Sequence, residues 1–272
     1  MKLLLALPVV LTSVLAAQNI TVDPANWRQT GISLVSSSDP AFAGLASALV
    51  PSNAPNLTAA FPYSFVLTNG TGKAIIALGV RWTCTDAAGR VRTHDRAWMN
   101  SITPTSSGTV AAGADRLVTP ILSPGANADD PTLARELAGF QGAQNITASL
   151  EAVILSDGTA LGADANNTIP RVQARLDAQK QVLAGIVASW QQGGAGALTA
   201  YLQGMLAVAP PLNGDMAAVK APTPFAAYSM VLSDVQRQFT GGLIKKASSD
   251  PGAVASFAQR LLATKDYPNV HR

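Results

Sequence analysis

The run of residues 73–85 constrains the fold more than any other part of this 272-residue chain. Its apolar and polar residues alternate, and a period of two over a dozen positions is the signature of a strand with one buried face. The predicted buried face carries Ala74, Ile76, Leu78, Val80, Trp82 and Cys84; the other carries Lys73, Ala77, Arg81, Thr83 and Thr85, with Ile75 as an apolar exception. We therefore predict a sheet centred on this strand, with Trp82 as the largest residue of its core.

Six more segments have the composition of strands, which brings the number to about seven. They are residues 31–36, 63–68, 90–98, 115–121, 146–155 and 159–161. Asn69-Gly70 is typical of a tight hairpin, so we expect the strand before it to pair with the strand over 73–85. Short strands separated by Gly, Asn and Asp turns favour an antiparallel sandwich or barrel. A short helix is predicted at 131–139.

The last hundred residues read as helices instead. An apolar stripe of Val172, Leu176, Leu183, Ile186 and Trp190, broken only by Gln179, has the spacing of one helix face. Gly193-Gly194 should end this helix, and further helices are predicted at 198–206, 225–240 and 252–262. The apolar stripe of the helix over 225–240 should begin at Phe225. Thr223-Pro224 and Asp250-Pro251 each combine a capping side chain with a proline at the first helical position.

These patterns predict an α+β protein in three parts. Residues 1–16 form a signal peptide, residues 17–170 an antiparallel β-sandwich, and residues 171–272 an α-helical region packed on itself and against the sandwich near Pro170. Charge changes at the same place: residues 18–170 carry a net charge of −3 and residues 171–272 a net charge of +5. Only Lys245 and Lys246 are adjacent among the basic residues, so no nucleic-acid partner is predicted.

The first residues have the features of a cleaved export signal. Lys2 precedes a mostly apolar stretch, too short to span a bilayer, that ends in small residues. We expect cleavage after Ala16, with Ala17 as the alternative, and a secreted or periplasmic protein with no membrane span. The single cysteine, Cys84, cannot form an internal disulfide and should be a buried apolar residue.

Few residues of this chain suit catalysis. Charged residues make up only 13% of the chain, and it holds two glutamates, Glu136 and Glu151, and two histidines. His271 is the penultimate residue and should be frayed. His94-Asp95 is the one suggestive pair, but neighbouring strand residues point to opposite faces, so Asp95 could not orient His94. We therefore predict no enzyme and no catalytic residue, and keep an envelope or extracellular hydrolase using His94 as the alternative.

No cofactor or metal site is predicted either. Gly70-Thr71-Gly72-Lys73 lacks two positions of a phosphate-binding loop. Asp157, Asp164, Asn166 and Asn167, or Asp129 with Asp130, could offer oxygens to calcium, but their spacing misses the calcium-loop pattern and suits turns instead. Five Asn-x-Thr sequons occur, at Asn19, Asn56, Asn69, Asn145 and Asn166; whether they carry glycans depends on whether the source is bacterial or eukaryotic.

The stretch from Phe65 through Asn69-Gly70-Thr71-Gly72 to Trp82 resembles the strand–turn–strand units of immunoglobulin-like and fibronectin-III-like modules in uncharacterised exported bacterial proteins. The segment Val153 to Thr159 is similar to their closing hairpin. The resemblance covers residues 28–165 and implies a β-sandwich that binds or scaffolds. Antibody-type domains pair their buried tryptophan with two cysteines; Trp82 has no such pair, so the resemblance implies architecture and no site residues.

Three functions remain open from the sequence. The first is an exported, non-enzymatic interaction or scaffold protein whose partner is another protein or an envelope component. The second is the hydrolase using His94. The third is a carbohydrate-binding module, which would need Trp27, Tyr63 and Trp98 to form an exposed aromatic platform. The oligomeric state is not predicted.

Overall fold

A computed structural model describes residues 20–22, 25–52, 54–99, 110–120, 131–208, 223–263 and 268–272; the predicted signal peptide lies outside them. The fold is mixed α+β, with about 51% helix and 26% strand, and its sheets are open. The α+β class is therefore confirmed. No helix in the described ranges is both long enough and apolar enough to cross a membrane.

The described strands form two sheets. In chain order they are β1 (Ile20–Val22), β2 (Ile32–Ser36), β3 (Phe65–Asn69), β4 (Ile75–Asp86), β5 (Val91–Met99), β6 (Asp115–Val118), β7 (Ala143–Leu155) and β8 (Ala160–Leu161). The larger sheet has the order β1-β7-β4-β5, with β8 also on β7, and the smaller has the order β2-β3-β6. Every pair is antiparallel except β1 with β7. Seven of these strands match the predicted segments, and β1 was not predicted.

Helices fill the rest of the described chain. They are α1 (Ala25–Arg28), α2 (Phe42–Leu49), a 3-10 segment (Pro55–Tyr63), α3 (Pro131–Ala138), α4 (Thr168–Val208), α5 (Pro224–Ser249) and α6 (Pro251–Ala263). The short α3 is confirmed as predicted. The sequence pattern did not reveal α2 or the 3-10 segment.

One apolar cluster joins the two sheets, and Trp82 lies in it. Trp82 is 0% exposed and is the largest fully buried side chain of the described residues, as predicted. Its ring lies 6.3 Å from that of Phe65 on β3 and 6.5 Å from that of Phe140, which precedes β7. Its indole N–H donates to the carbonyl of Tyr63 at 2.9 Å, so burial leaves this polar atom bonded.

The predicted faces of β4 hold only beyond its first residues. The register against β7 shifts between Ile75 and Ala77, which makes Ile76 an extra residue. A bulge of this kind reverses the alternation on one side of it. Ile75 therefore joins the cluster of Trp82, while Ile76 packs with Ala77 in a different cluster, the reverse of the predicted assignment.

The predicted hairpin between β3 and β4 is wrong, because the two strands belong to different sheets. The turn after Asn69 carries the chain from one sheet to the other. The buried amide of Asn69 donates to the carbonyls of Lys73, Val110 and Ala111 at 2.8–3.0 Å. Asn69 therefore fixes a crossing between sheets and not a two-residue hairpin.

Helix α4 reverses direction at Gly193 and Gly194, whose backbone angles are not helical. The ring of Tyr201 lies against Gly185, and its hydroxyl donates to the carbonyl of Gln181 at 3.5 Å. Residues sixteen apart would be about 24 Å apart in a straight helix, so α4 is a hairpin of two antiparallel arms. The predicted stop at the two glycines is confirmed.

Helices α5 and α6 begin as predicted. The side chain of Thr223 accepts from the N–H of Ala226, and that of Asp250 accepts from Ala253. Two other expectations are wrong. Helix α5 continues through Gly241 and Gly242 to Ser249, because the buried Leu243 and Ala247 hold its later turns in the helical core. Phe225, expected on the apolar stripe, is 80% exposed.

The helices meet the larger sheet at the start of α4. Val172 packs with Ala77, Ile154 and Ala160 in a cluster to which Val270 of the C-terminal tail also contributes. His271, expected to be frayed, exchanges backbone bonds with Gly158 and Ala160, which tie the tail to the β7–β8 turn. The helical region is therefore attached to the sheet at both of its ends, and the prediction that it packs against the sheets near Pro170 is confirmed.

Candidate interaction surface

The larger sheet has one polar face, directed away from Trp82. Cross-strand register places Arg81 between Asp95 and Ser149, and Thr83 between Thr93 and Thr147. We call the set Arg81, Thr83, Thr85, Thr93, Asp95, Thr147 and Ser149 the polar sheet face; each of these residues is exposed or half-buried.

Helix α4 covers the other end of this side of the sheet, and the charge of its Arg171 reaches the polar sheet face. Its first turns pack on Ala77 and Ile154. Contact there is close: a Cβ added to Gly79 would lie 2.4 Å from the hydroxyl of Thr168. Beyond Gly79 the residues that β4 places on this side of the sheet are hydrophilic, and the polar sheet face begins there. One side of the sheet is therefore divided into a helix-covered apolar half and an uncovered polar half.

An ion pair crosses the polar sheet face. Arg81 donates to both carboxylate oxygens of Asp95, at 2.7 and 3.3 Å, and both side chains are about a quarter exposed. The hydrogen bond to Asp95 is the main reason that the pKa of Arg81 is raised. A partly exposed bidentate pair of this kind fixes the positions of both side chains more than it adds stability.

His94 lies on the opposite face, as predicted. It is opposite Trp82 in the register, and its ring stacks on Phe140 at 4.6 Å. Its Nε2 is buried and has no hydrogen-bond partner among the described residues. Burial, and next the charge of Arg96, lower the pKa of His94. Since Asp95 bonds Arg81 across the sheet, it does not orient His94, and the pair does not make a catalytic dyad.

The aromatic residues considered for carbohydrate binding do not form a platform. Trp27 is only 6% exposed and belongs to the core between the sheets. The ring of Tyr63 packs on Phe140 at 5.2 Å. The side chain of Trp98 lies outside the described residues.

The candidate calcium ligands instead stabilise turns. Asp157 pairs with Lys73, whose hydrogen bond lowers the pKa of Asp157 well below its usual value. Asp164 accepts from the N–H groups of Thr168 and Ile169 and so caps α4. Asp129 and Asp130 lie outside the described residues. Within the described ranges no group of three or more His, Cys, Asp or Glu residues could hold a metal ion.

Two further residues from the sequence analysis have structural roles. Cys84 is buried as predicted, and desolvation raises the pKa of its thiol to about 11, so it is a poor nucleophile. Asn69 belongs to a sequon, yet its amide is fully buried and bonded to three carbonyls. Asn145, in contrast, is exposed on β7.

A cavity lies at the border of the polar sheet face, beside the edge of β7. It has a volume of about 290 Å³, and its lining residues are Trp27, Thr30, Ser149, Leu150, Glu151, Gly162 and Ala163. Sequence reasoning singled out Glu151 only as one of two glutamates. The signal that could have found it is its place beside Ala152, Val153, Ile154 and Leu155, where an acidic residue interrupts an apolar strand.

Comparisons with known protein families, curated proteins and solved structures found no match for this chain.

Proposed function

We propose that the protein is an exported, non-enzymatic interaction module built on an immunoglobulin-like or fibronectin-III-like sandwich. Strand order supports the sandwich. With β2 counted as the first strand, the first, second and fifth strands are β2, β3 and β6, and they form one sheet. The third, sixth and seventh strands are β4, β7 and β8, and they are neighbours in the other sheet. Seven-stranded immunoglobulin domains of the constant type divide these six strands in the same way, but their fourth strand joins the first sheet, whereas β5 pairs with β4 in the larger sheet here.

The core supports the same proposal. Trp82 is on the third strand of that count, where immunoglobulin domains carry a buried tryptophan. In place of a disulfide, Trp82 contacts the rings of Phe65 and Phe140. An aromatic cluster of this kind can stabilise a sandwich without oxidation.

The division of the larger sheet into a covered and an uncovered half carries the functional proposal. Helix α4 packs on the apolar half, and the polar sheet face is left without a helix or strand across it in the described part of the chain. Exposed, rigid side chains on a strand scaffold suit recognition of a partner. The catalytic candidates, in contrast, are engaged elsewhere: His94 stacks on Phe140, and Asp95 bonds Arg81. We therefore infer a partner that contacts the polar sheet face, either a protein or another component of the cell envelope.

Capture from native envelope extracts tests this proposal. Tagged residues 17–272 serve as bait, with Thr83→Arg in the centre of the polar sheet face as the disruptive variant. Ser248→Arg, on the exposed side of α5, adds the same charge elsewhere and is the matched control. We expect mass spectrometry to identify one component that wild type and Ser248→Arg retain and that Thr83→Arg loses. Equal recovery with Thr83→Arg would contradict this use of the face.

A hydrolase screen tests the non-enzymatic part separately. Ester, glycoside and peptide substrates are offered to the wild type and to His94→Phe, which keeps a ring against Phe140. We expect no turnover by either protein. Turnover by the wild type that His94→Phe abolishes, with unchanged circular dichroism, would establish the hydrolase alternative.

Export is a further part of the proposal, and it rests on the first sixteen residues. Expression of the full chain in a secreting host, followed by N-terminal sequencing, should give a mature protein that begins at Ala17. A protein that retains Met1 and stays in the cytoplasm would contradict export.

A further inference from the structure

The cavity beside β7 occupies a gap in strand pairing. On this edge of β7, β1 pairs with residues 146–148 and β8 pairs with residues 153–154. Residues 149–152 between them pair with no strand on this side in the described part of the chain. The cavity of about 290 Å³ opens at this gap. We call it the edge cavity.

Tight local packing shapes the edge cavity. Gly162 has a φ of +103°, and a Cβ there would lie 2.3 Å from the carbonyl oxygen of Glu151 and 2.9 Å from the ring of Trp27. Only glycine fits both the backbone angle and the space. The N–H of Asp164 donates to the same Glu151 carbonyl at 2.9 Å, and this bond holds the loop of Gly162 and Ala163 against the strand.

A β-bulge places Glu151 in the wall. The register of β4 and β7 shifts between the pairs Gly79–Ala152 and Val80–Leu150, so Glu151 is the extra residue. Bulges redirect a side chain out of the regular alternation and are frequent next to binding sites. The strand on both sides of the bulge is buried, with Leu150, Ala152 and Val153 in the core. Glu151 is therefore a polar exception that the backbone geometry directs to the edge cavity.

The chemistry of the wall selects a cation. Glu151 is the one charged residue of the lining, and its carboxylate can only accept hydrogen bonds when ionised. Ser149 adds a hydroxyl, and the Thr30 hydroxyl, which donates to the carbonyl of Trp27, retains lone pairs that can accept. Two described cations lie near this wall: Arg81 bonds Asp95 through two of its nitrogens, and Arg272 donates to the carbonyl of Ala163 at 3.4 Å. Trp27, Leu150 and Ala163 supply apolar wall beside these acceptors.

We propose that the edge cavity binds a small primary amine, with its ammonium group on Glu151 and its apolar body against Trp27. An ammonium has three N–H donors, which match the carboxylate and the two hydroxyls. A volume of about 290 Å³ has room for roughly ten non-hydrogen atoms, taking about 30 Å³ for each. This binding does not depend on a partner at the polar sheet face.

An NMR titration with benzylamine tests the proposal, and benzyl alcohol is its uncharged equivalent of the same size. We expect benzylamine to shift the indole N–H of Trp27 and the amide of Gly162, with a dissociation constant on the order of 1 mM for so small a ligand. Benzyl alcohol should bind at least about tenfold more weakly, because it forms no charge-assisted bond. Equal affinity for the two probes, or no shift at either residue, would overturn the proposal.

Two glutamine variants provide the matched comparison, because the chain has two glutamates. Glu151→Gln keeps the shape of the wall and removes its charge, and Glu136→Gln makes the same change on α3. We expect Glu151→Gln to lower benzylamine affinity at least about tenfold and Glu136→Gln to leave it unchanged. Unchanged urea midpoints would show that both variants fold normally. Wild-type affinity in Glu151→Gln would contradict the role of the carboxylate, whatever happens at the polar sheet face.

Discussion

The core between the sheets and the core of the helical region handle buried polar groups differently. Between the sheets, the buried amide of Asn69 gives its hydrogens to three carbonyls, and the indole of Trp82 is bonded to Tyr63. In the helical region, Gln179 is 3% exposed, but its Nε2 has no hydrogen-bond partner within the described chain. In the sheet region His94 Nε2 is the one buried polar side-chain atom without a partner among the described residues, against four such atoms in the helical region, so the sheets form the better satisfied core.

The buried polar groups around Asp234 in the helical region also include donors that are unpaired among the described residues. Asp234 is 5% exposed and accepts from Arg237 and Gln238. Burial lowers the pKa of Arg175 on α4, and the negative charge of Asp234 opposes this shift. The Nε atoms of both arginines are buried and unpaired among the described residues. Because each unpaired buried donor costs about 1–3 kcal/mol, we infer that the helical region opens more easily than the sheets.

Truncation of Trp82 should produce the largest effect. Trp82→Ala removes the centre of the shared core and should lower the free energy of unfolding by about 3–5 kcal/mol, enough to cause aggregation or proteolysis. Arg81→Ala, on the polar sheet face, should cost no more than about 1 kcal/mol. Equal urea midpoints for the two variants would contradict the assignment of the faces of β4.

Asn69→Leu should come next, with a loss of about 3 kcal/mol. It keeps the size of the side chain but removes its three hydrogen bonds to the carbonyls of Lys73, Val110 and Ala111, each worth about 1 kcal/mol; each carbonyl keeps one other donor. Urea unfolding followed by far-UV circular dichroism measures the loss. A change below about 1 kcal/mol would show that the crossing between the sheets does not depend on this amide.

The corresponding substitution in the helical region should stabilise the protein instead of destabilising it. Gln179→Leu replaces an amide whose nitrogen is buried and unpaired, and should raise the free energy of unfolding by about 1 kcal/mol. The same urea series measures it. A loss similar to that of Asn69→Leu would remove the contrast between the two cores.

The smallest predicted effect is a pH dependence from His94. Its pKa in the folded protein is lowered, so the neutral ring stabilises the fold above the ordinary pKa of about 6.5. This contribution should be lost as the pH falls through the lowered pKa, because the charged ring is opposed by burial and by Arg96 and Arg92. His94→Phe should flatten this part of the stability curve. An unchanged slope between about pH 7 and pH 5 would contradict the burial of the ring.

Local sequence patterns predicted the elements far better than their partners. The alternation of apolar and polar residues located β4, predicted that Trp82 is buried, and placed His94 and Asp95 on opposite faces of the sheet. All three features follow from a period of two. The bulge at Ile76 was missed because it depends on the register with β7. The crossing at Asn69 was missed because it depends on residues near Val110. Both partners are distant in sequence. The same is true of His271, whose backbone partners are more than a hundred residues away. Asn-Gly permits a hairpin but does not select the strand that follows as the partner.

The candidate site was less predictable than the fold. No motif marks the edge cavity, because its walls come from α1, β7 and the loop after β8. Glu151 is visible as an acidic residue in an apolar strand, but only the bulge shows which way it is directed. The polar sheet face could be predicted in part, since Arg81, Thr83 and Thr85 occupy the alternate positions of β4.

Native-state hydrogen exchange on the whole protein tests the contrast between the two regions most directly. We predict that the slowest amides of β4 and β7 exchange only through global unfolding, with a free energy equal to that from urea. The slowest amides of α5 should exchange through a smaller opening, because α5 carries the Asp234 cluster and, in the described part of the chain, packs on α4 and α6. Equal free energies for the slowest amides of β4 and α5 would contradict this account and show that the protein unfolds as one cooperative unit.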